Sequence, residues 1–248
     1  MRRYDRLINR IGGISFLVLA PVVVLMVIYK HHFDPYLPVV FWIAITLLMS
    51  SRAYLQFAPK PKLSQDEKSK WLVKAASFYR RLGFFEQFAD LTDDELATRL
   101  DSEYRKEAGE SLDPAKPVAE LELLELDKMR VWLSGLECDV CQGNDVYADI
   151  VMRLGEISRG HFSPTDIAET WQAEKGPIRV EFTHGGRRHR IEPKYRDDWI
   201  DTDFLFRVRE IFPKTEQELV IRPGDPVCAV VLTQEERQRI RKERGAIF

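Results

Sequence analysis

Two uncharged apolar stretches stand back to back at the start of this chain, and they constrain everything after them. The first runs from Ile11 to Tyr29 and the second from Pro35 to Ser51. Each is close to the roughly 20 residues a helix needs to cross about 30 Å of hydrocarbon. Between them, Lys30-His31-His32-Phe33-Asp34 suits a tight turn. The pattern predicts a two-helix transmembrane hairpin over residues 1–57, with spans at about 11–29 and 35–51. A linker over 58–63 and a polar domain over 64–248 follow. Arg2, Arg3, Arg6 and Arg10 precede the first span, Arg52, Lys60 and Lys62 follow the second, and Lys30 is the one basic residue between. Cytoplasmic flanks hold the excess of Lys and Arg. Both termini and the polar domain are therefore expected in the cytoplasm, with the lipid bilayer as first partner. A cleaved signal peptide would have a shorter core followed by small residues, whereas Tyr29-Lys30-His31-His32 follows this one.

Charge narrows what the polar domain binds. Residues 63–248 carry 29 basic and 37 acidic side chains, a net of −8. Nucleic-acid binding needs a basic face to meet phosphates, so nucleic acid is not an expected partner. An acidic domain suits a basic protein partner, or serves solubility alone. The cysteines number three, Cys138, Cys141 and Cys228, and an odd count in a domain assigned to the cytoplasm argues against a disulfide framework.

Periodicity supplies the elements. Ser64-Gln65-Asp66-Glu67 is a capping box opening a helix with Trp71, Leu72, Ala75, Phe78, Tyr79 and Leu82 on one stripe. Thr92 to Glu95 repeats the signature and opens a helix to about Lys106. Leu121 to Leu136 reads as helix into Leu126, with the remainder open between strand and helix. Asn144-Asp145 caps a helix through Tyr147, Ile150, Val151, Leu154 and Ile157. Ser163-Pro164-Thr165-Asp166 has a cap serine, a proline at the first helical position and an acid behind it. It predicts a helix with Ile167, Ala168 and Trp171 inward, closed by Gly176. The period then changes to two. Ile178, Val180 and Phe182 alternate with polar residues, and Gly185-Gly186 turns the chain into Arg187–Ile191. A helix from Asp201 or Thr202, strands over 218–221 and 227–232, and a last helix capped by Thr233 complete the order. The sum predicts an α+β fold, with antiparallel β-hairpins packed on helices along one face.

Two clusters carry candidate chemistry. Cys138-Asp139-Val140-Cys141 has the spacing of half a zinc site or of a redox pair. No second C-x-x-C exists to complete a tetrahedral site, and two free thiols packed as small hydrophobes are the competing reading. Asp197-Asp198-Trp199-Ile200-Asp201-Thr202-Asp203 gathers four carboxylates in seven residues. Magnesium sites use such groups, but acids also favour helix starts through the dipole. No nucleophile elbow, phosphate-binding loop, H-E-x-x-H or EF-hand pattern is present. The sequence thus leans away from an enzyme, assigns no catalytic residue and calls for no cofactor.

A scatter of aromatic, glycine and cap residues extends from Leu121 to the C-terminus. It includes Val131-Trp132, Asn144, Tyr147, Ile157-Ser158-Arg159-Gly160, Phe162-Ser163-Pro164, Glu169, Trp171, Gly176-Pro177-Ile178, Asp197-Asp198-Trp199-Ile200-Asp201, Leu232-Thr233, Arg244-Gly245 and Phe248. This stretch resembles a bacterial family of uncharacterised proteins, similar to the immunity or accessory components kept beside secreted polymorphic toxins. The resemblance implies that the acidic domain binds and blocks a toxin near the bacterial inner membrane, and the domain's net charge favours a basic one. The multi-pass inner-membrane location is the expectation of the apolar spans alone, which the resemblance leaves unexplained. On that reading Asp197, Asp198, Trp199, Asp201 and His184 form the partner surface. The rival is a membrane-tethered enzyme or metal-binding protein that uses Cys138 and Cys141, or the Asp197–Asp203 cluster.

Overall fold

A computed structural model describes residues 63–248. Local capping sets the helix starts. Ser64, Thr92 and Thr233 each accept the amide of a glutamate three residues on, and each glutamate returns a bond to the cap amide. These boxes open α1 (Gln65–Arg80), α2 (Asp93–Ala108) and α6 (Gln234–Glu243). Between α2 and α6 come α3 (Ala119–Glu125), β1 (Val131–Ser134), α4 (Val146–Glu156), β2 (Thr165–Trp171), β3 (Ile178–His184), β4 (Arg187–Ile191), α5 (Thr202–Ile211), β5 (Gln217–Arg222) and β6 (Val227–Thr233).

The strands form two antiparallel sheets of three, ordered β1-β6-β5 and β2-β3-β4. The fold is α+β. The first sheet, however, is covered on both faces rather than one. Successive strand residues point to opposite faces, and β6 shows where each set goes. Cys228, Val230 and Leu232 join a core with Leu72 and Phe78 of α1, Leu96 and Leu100 of α2, Leu124 of α3 and Ile240 of α6. Val227, Ala229 and Val231 join a second core with Tyr147 and Leu154 of α4, Phe204 and Val208 of α5, and Val180 and Phe182 of β3. A central strand buried on both faces needs no polar alternation, which accounts for the unbroken apolar run Val227–Leu232.

The helix expected after Ser163 is a strand. β2 pairs with β3 in the register Glu169↔Val180 and Trp171↔Ile178, with a bulge between Thr165 and Ala168. Ile167, Glu169 and Trp171 share one face by the strand's period of two, and Ile167 and Trp171 pack against the second core. Local signals for a helix lose here to long-range pairing with β3 and to a close approach by Pro164. A Cβ on Gly155 of α4 would lie 2.8 Å from the Pro164 ring. Overpacking of this kind costs roughly 1–3 kcal/mol. Alanine regains about 1 kcal/mol of helix propensity over glycine. Gly155→Ala is therefore expected to lose about 1 kcal/mol net in urea unfolding. A stabilised variant would mean that the proline yields freely.

The multi-pass membrane location expected from the sequence is corrected. Among the described residues no helix is long and apolar enough to cross a membrane. The longest, α1 and α2, have 16 residues each and carry charged side chains along their length. At 1.5 Å per residue they reach only about 24 Å. The spans expected at 11–29 and 35–51, and most of the linker at 58–63, lie outside the described residues.

Candidate functional site

The two clusters singled out in the sequence meet. The loop after β1 runs beside the segment leading into α5. Glu137 bridges Trp199 in antiparallel fashion, the Cys138 amide donates to the Asp198 carbonyl at 2.8 Å, and the Ile200 amide donates to the Leu136 carbonyl at 2.9 Å. The Leu136 amide also donates to Asp225 Oδ1 in the β5–β6 turn at 3.2 Å. This short ladder fixes Trp199 on a turn in which Asp197 has the left-handed φ of 52°, a conformation that Asp tolerates better than most residues. Trp199 remains 45% exposed. Around it Glu137, Asp139, Asp197 and Asp198 are exposed as well.

The neighbourhood is negative in its effect on titration. Burial raises the Tyr195 phenol, and Asp197 and Asp198 raise it further. Partial burial also raises the Cys141 thiol, and the Asp139 and Asp198 carboxylates add to that. A nucleophilic or redox cysteine needs the opposite, a thiolate favoured by positive surroundings. Cys138 is half-buried, with its sulfur 3.1 Å from the Gly135 carbonyl and 3.2 Å from Ser134 Oγ. Among the described residues no three His, Cys, Asp or Glu side chains come together in a way that could hold a metal ion. A Cys138→Ser, Cys141→Ser double variant is accordingly expected to keep its stability within about 1 kcal/mol, the range for exchanges away from a tightly packed core. A larger loss in thermal unfolding, or loss of a bound metal by elemental analysis, would return these thiols to the centre of the chemistry.

Other candidates sit elsewhere. His184 ends β3 at the edge opposite Ile178, about 20 Å of strand away from Tyr195 by the rise per residue. Its Nδ1 accepts from the Ser163 amide at 3.3 Å and its ring packs on Phe162 at 4.8 Å. The fold does not bring it to Trp199. Asp201 is fully buried. Its carboxylate accepts from the Lys194 amide at 2.9 Å and from Arg196 Nε at 3.2 Å, while its own amide donates to the Tyr147 hydroxyl at 2.9 Å. Asp201 holds the turn that presents Trp199 and cannot itself meet a partner. Asp201 Oδ1 thereby also pairs with the Arg196 guanidinium, whose side chain stays half-exposed.

Reading the sequence missed Glu137 and singled out Glu169 only among the residues of the resemblance, with no role. Glu137 is brought into the patch by the bridge to Trp199. Glu169 caps α4 from β2. Its Oε2 accepts the Tyr147 and Ala148 amides at 2.8 and 3.1 Å, and its Oε1 accepts Trp171 Nε1 at 2.8 Å. Asp145, the expected cap, has φ 48° and makes no side-chain capping bond. The Trp171 ring in turn meets Tyr195 edge-on at 5.8 Å. The cap, the Tyr147–Asp201 bond and this aromatic pair thus form one support beneath the acidic surface.

Comparison with protein-family models, with curated proteins and with solved structures found no match to this chain.

Proposed function

We propose that residues 63–248 form a protein-recognition module whose binding surface is Trp199 within a ring of carboxylates. The observation that carries this reading is the placement of Trp199. It is a large aromatic held by main-chain hydrogen bonds and left 45% exposed. Glu137, Asp197 and Asp198 around it form no ion pair among the described residues. Binding energy concentrates in a few anchors, with tryptophan prominent among them. A charged rim contributes partner choice and association rate. The complementary partner is a basic protein segment with an apolar pocket for the indole. A secreted toxin with a basic face fits that description and agrees with the resemblance to immunity proteins.

The second reading, an enzyme or metal protein built on Cys138 and Cys141, lacks such support. Burial, with the Asp139 and Asp198 carboxylates behind it, holds the Cys141 proton in place.

Titration of the full chain with Lys- and Arg-rich peptides containing a central leucine tests the proposal, with Asp- and Glu-rich peptides as controls. Saturable binding to the basic set is expected, weakening steeply with added salt. Trp199→Ala is expected to lower affinity at least tenfold, in keeping with a hot-spot loss of about 2 kcal/mol, with unfolding temperature nearly unchanged. Equal binding of acidic and basic peptides, or full affinity in Trp199→Ala, would overturn the reading.

A further inference from the structure

A different surface carries a second, independent inference. β5 lies at the edge of its sheet and pairs with β6 alone. The direction of its free groups follows from the register. The Val231 carbonyl of β6 accepts from Arg130 Nη2, on the side of the sheet away from β5. Val231 is opposite Leu219, so this is a non-hydrogen-bonded pair, and Leu219 turns its own N–H and C=O outward. By the period of two, Ile221 does the same. At the strand's first residue the outward groups are already used: the Gln217 amide donates to Thr215 Oγ1 at 3.1 Å, and that hydroxyl donates to the Gln217 carbonyl at 3.0 Å. Leu219 and Ile221 have no such closure.

The unpaired edge lies in a cleft, where Leu219 and Ile221 keep only 3% and 8% of their surface exposed. A concavity of about 390 Å³ runs along Glu218–Ile221, walled by Arg209, Phe212, Lys214 and Arg237. Arg209 and Phe212 belong to the end of α5, on the side of the second core, while α6, which carries Arg237, packs on the first core. The edge is therefore recessed between two layers. A recess of this kind suits a single extended chain, whose narrow profile fits between the two layers. Arg209, Lys214 and Arg237 form no ion pair among the described residues, and Arg209 only stacks on Phe206 at 5.0 Å. Against these three cations the cleft presents a single carboxylate, Glu218.

We propose that the free edge of β5 is a docking strip for an extended acidic segment of another protein, added as a fourth strand. The main-chain groups of Leu219 and Ile221 supply the ladder, and Arg209, Lys214 and Arg237 select for Asp and Glu side chains. This is strand addition, in which backbone bonds give affinity and flanking side chains give choice. The polarity is opposite to that of the Trp199 surface, so the two sites take different partners.

The probe is an acetylated peptide alternating valine with glutamate, titrated against the full chain. Its counterparts are the same peptide N-methylated at the ladder amides and a peptide with lysine in place of glutamate. Binding of the acidic peptide is expected, together with slowed amide exchange at Leu219 and Ile221. N-methylation and the lysine exchange are each expected to weaken binding at least tenfold, as is the Lys214→Glu, Arg237→Glu double variant. Both positions of that variant are exposed, so its fold is retained. The proposal is overturned by absence of binding at millimolar peptide, by equal affinity for the N-methylated peptide, by protection confined to other strands, or by sedimentation showing that a second copy occupies the edge.

Discussion

Arg130→Ala is expected to destabilise the domain by about 3–5 kcal/mol, the range for removing one partner of a buried charged group. Arg130 is 5% exposed. Its guanidinium joins three elements far apart in the chain. Nη1 donates to the Leu82 carbonyl after α1 at 2.8 Å, and Nη2 reaches the Val231 carbonyl of β6 at 3.2 Å and Glu236 of α6 at 3.4 Å. Its Cζ lies 4.2 Å from the centre of the Phe84 ring. Alanine would leave two carbonyls and one carboxylate without their donor and open a cavity beside Phe84. Nearby, the Asp127 carboxylate accepts the Phe85 amide at 2.6 Å and holds that residue at φ 61°, so the loss would spread into the turn after α1. Arg130→Lys keeps the charge but not the planar fork, and should fall between wild type and alanine. Thermal unfolding measures both. For a domain of this size 1 kcal/mol moves the midpoint by roughly 2–4 °C, so a shift of about 10 °C is expected for alanine. A shift under about 2 °C would mean that water satisfies the three acceptors equally well.

Arg130 also shows where reading the sequence stops. The capping boxes at Ser64, Thr92 and Thr233 were legible because both partners sit three residues apart. The β3–β4 hairpin was legible because alternation flanks a glycine pair. What Arg130 touches lies 48, 101 and 106 residues away, and no local pattern carries that. The same limit explains β2. Ser163-Pro164-Thr165-Asp166 carries the marks of a helix start, and only the pairing with β3 and the bare face of Gly155 make it a strand. The acidic surface was half legible. Trp199 and its neighbours stood out by composition, but composition gave Asp197, Asp198 and Asp201 equal standing. Asp201 is inside because Tyr147, 54 residues earlier, binds its amide. The one local hint was its place between Ile200 and the apolar Phe204-Leu205 pair. His184 was grouped with Trp199 with no positional signal to support it, and the strand geometry separates them.

Glu169→Ala carries the second large effect and tests the support beneath Trp199. Removing the carboxylate leaves the Tyr147 and Ala148 amides and the Trp171 indole without an acceptor. Loss of a cap costs about 0.5–2 kcal/mol and an unpaired buried donor about 1–3 kcal/mol, so a total of roughly 2–4 kcal/mol is expected at neutral pH. The pH dependence gives a sharper test. Burial raises the Glu169 carboxyl above its ordinary 4.5, although the Trp171 indole and the two amides pull it back. A carboxyl raised on folding holds its proton in the folded state after the unfolded chain has released it. The folded state therefore binds more protons between pH 4.5 and the raised value, and stability falls as pH rises through that window. Glu169→Gln has no such titration. The wild type's advantage over it is expected to be largest near pH 4.5 and to shrink toward neutrality, as read by urea unfolding at each pH. An advantage that grows with pH would mean that the three donors outweigh burial. Because Tyr147 and Trp171 also brace Asp201 and Tyr195, Glu169→Ala should loosen the turn that presents Trp199 and weaken basic-peptide binding in step with the lost stability. Full affinity in a destabilised Glu169→Ala chain would show that the Trp199 surface holds its shape without this brace.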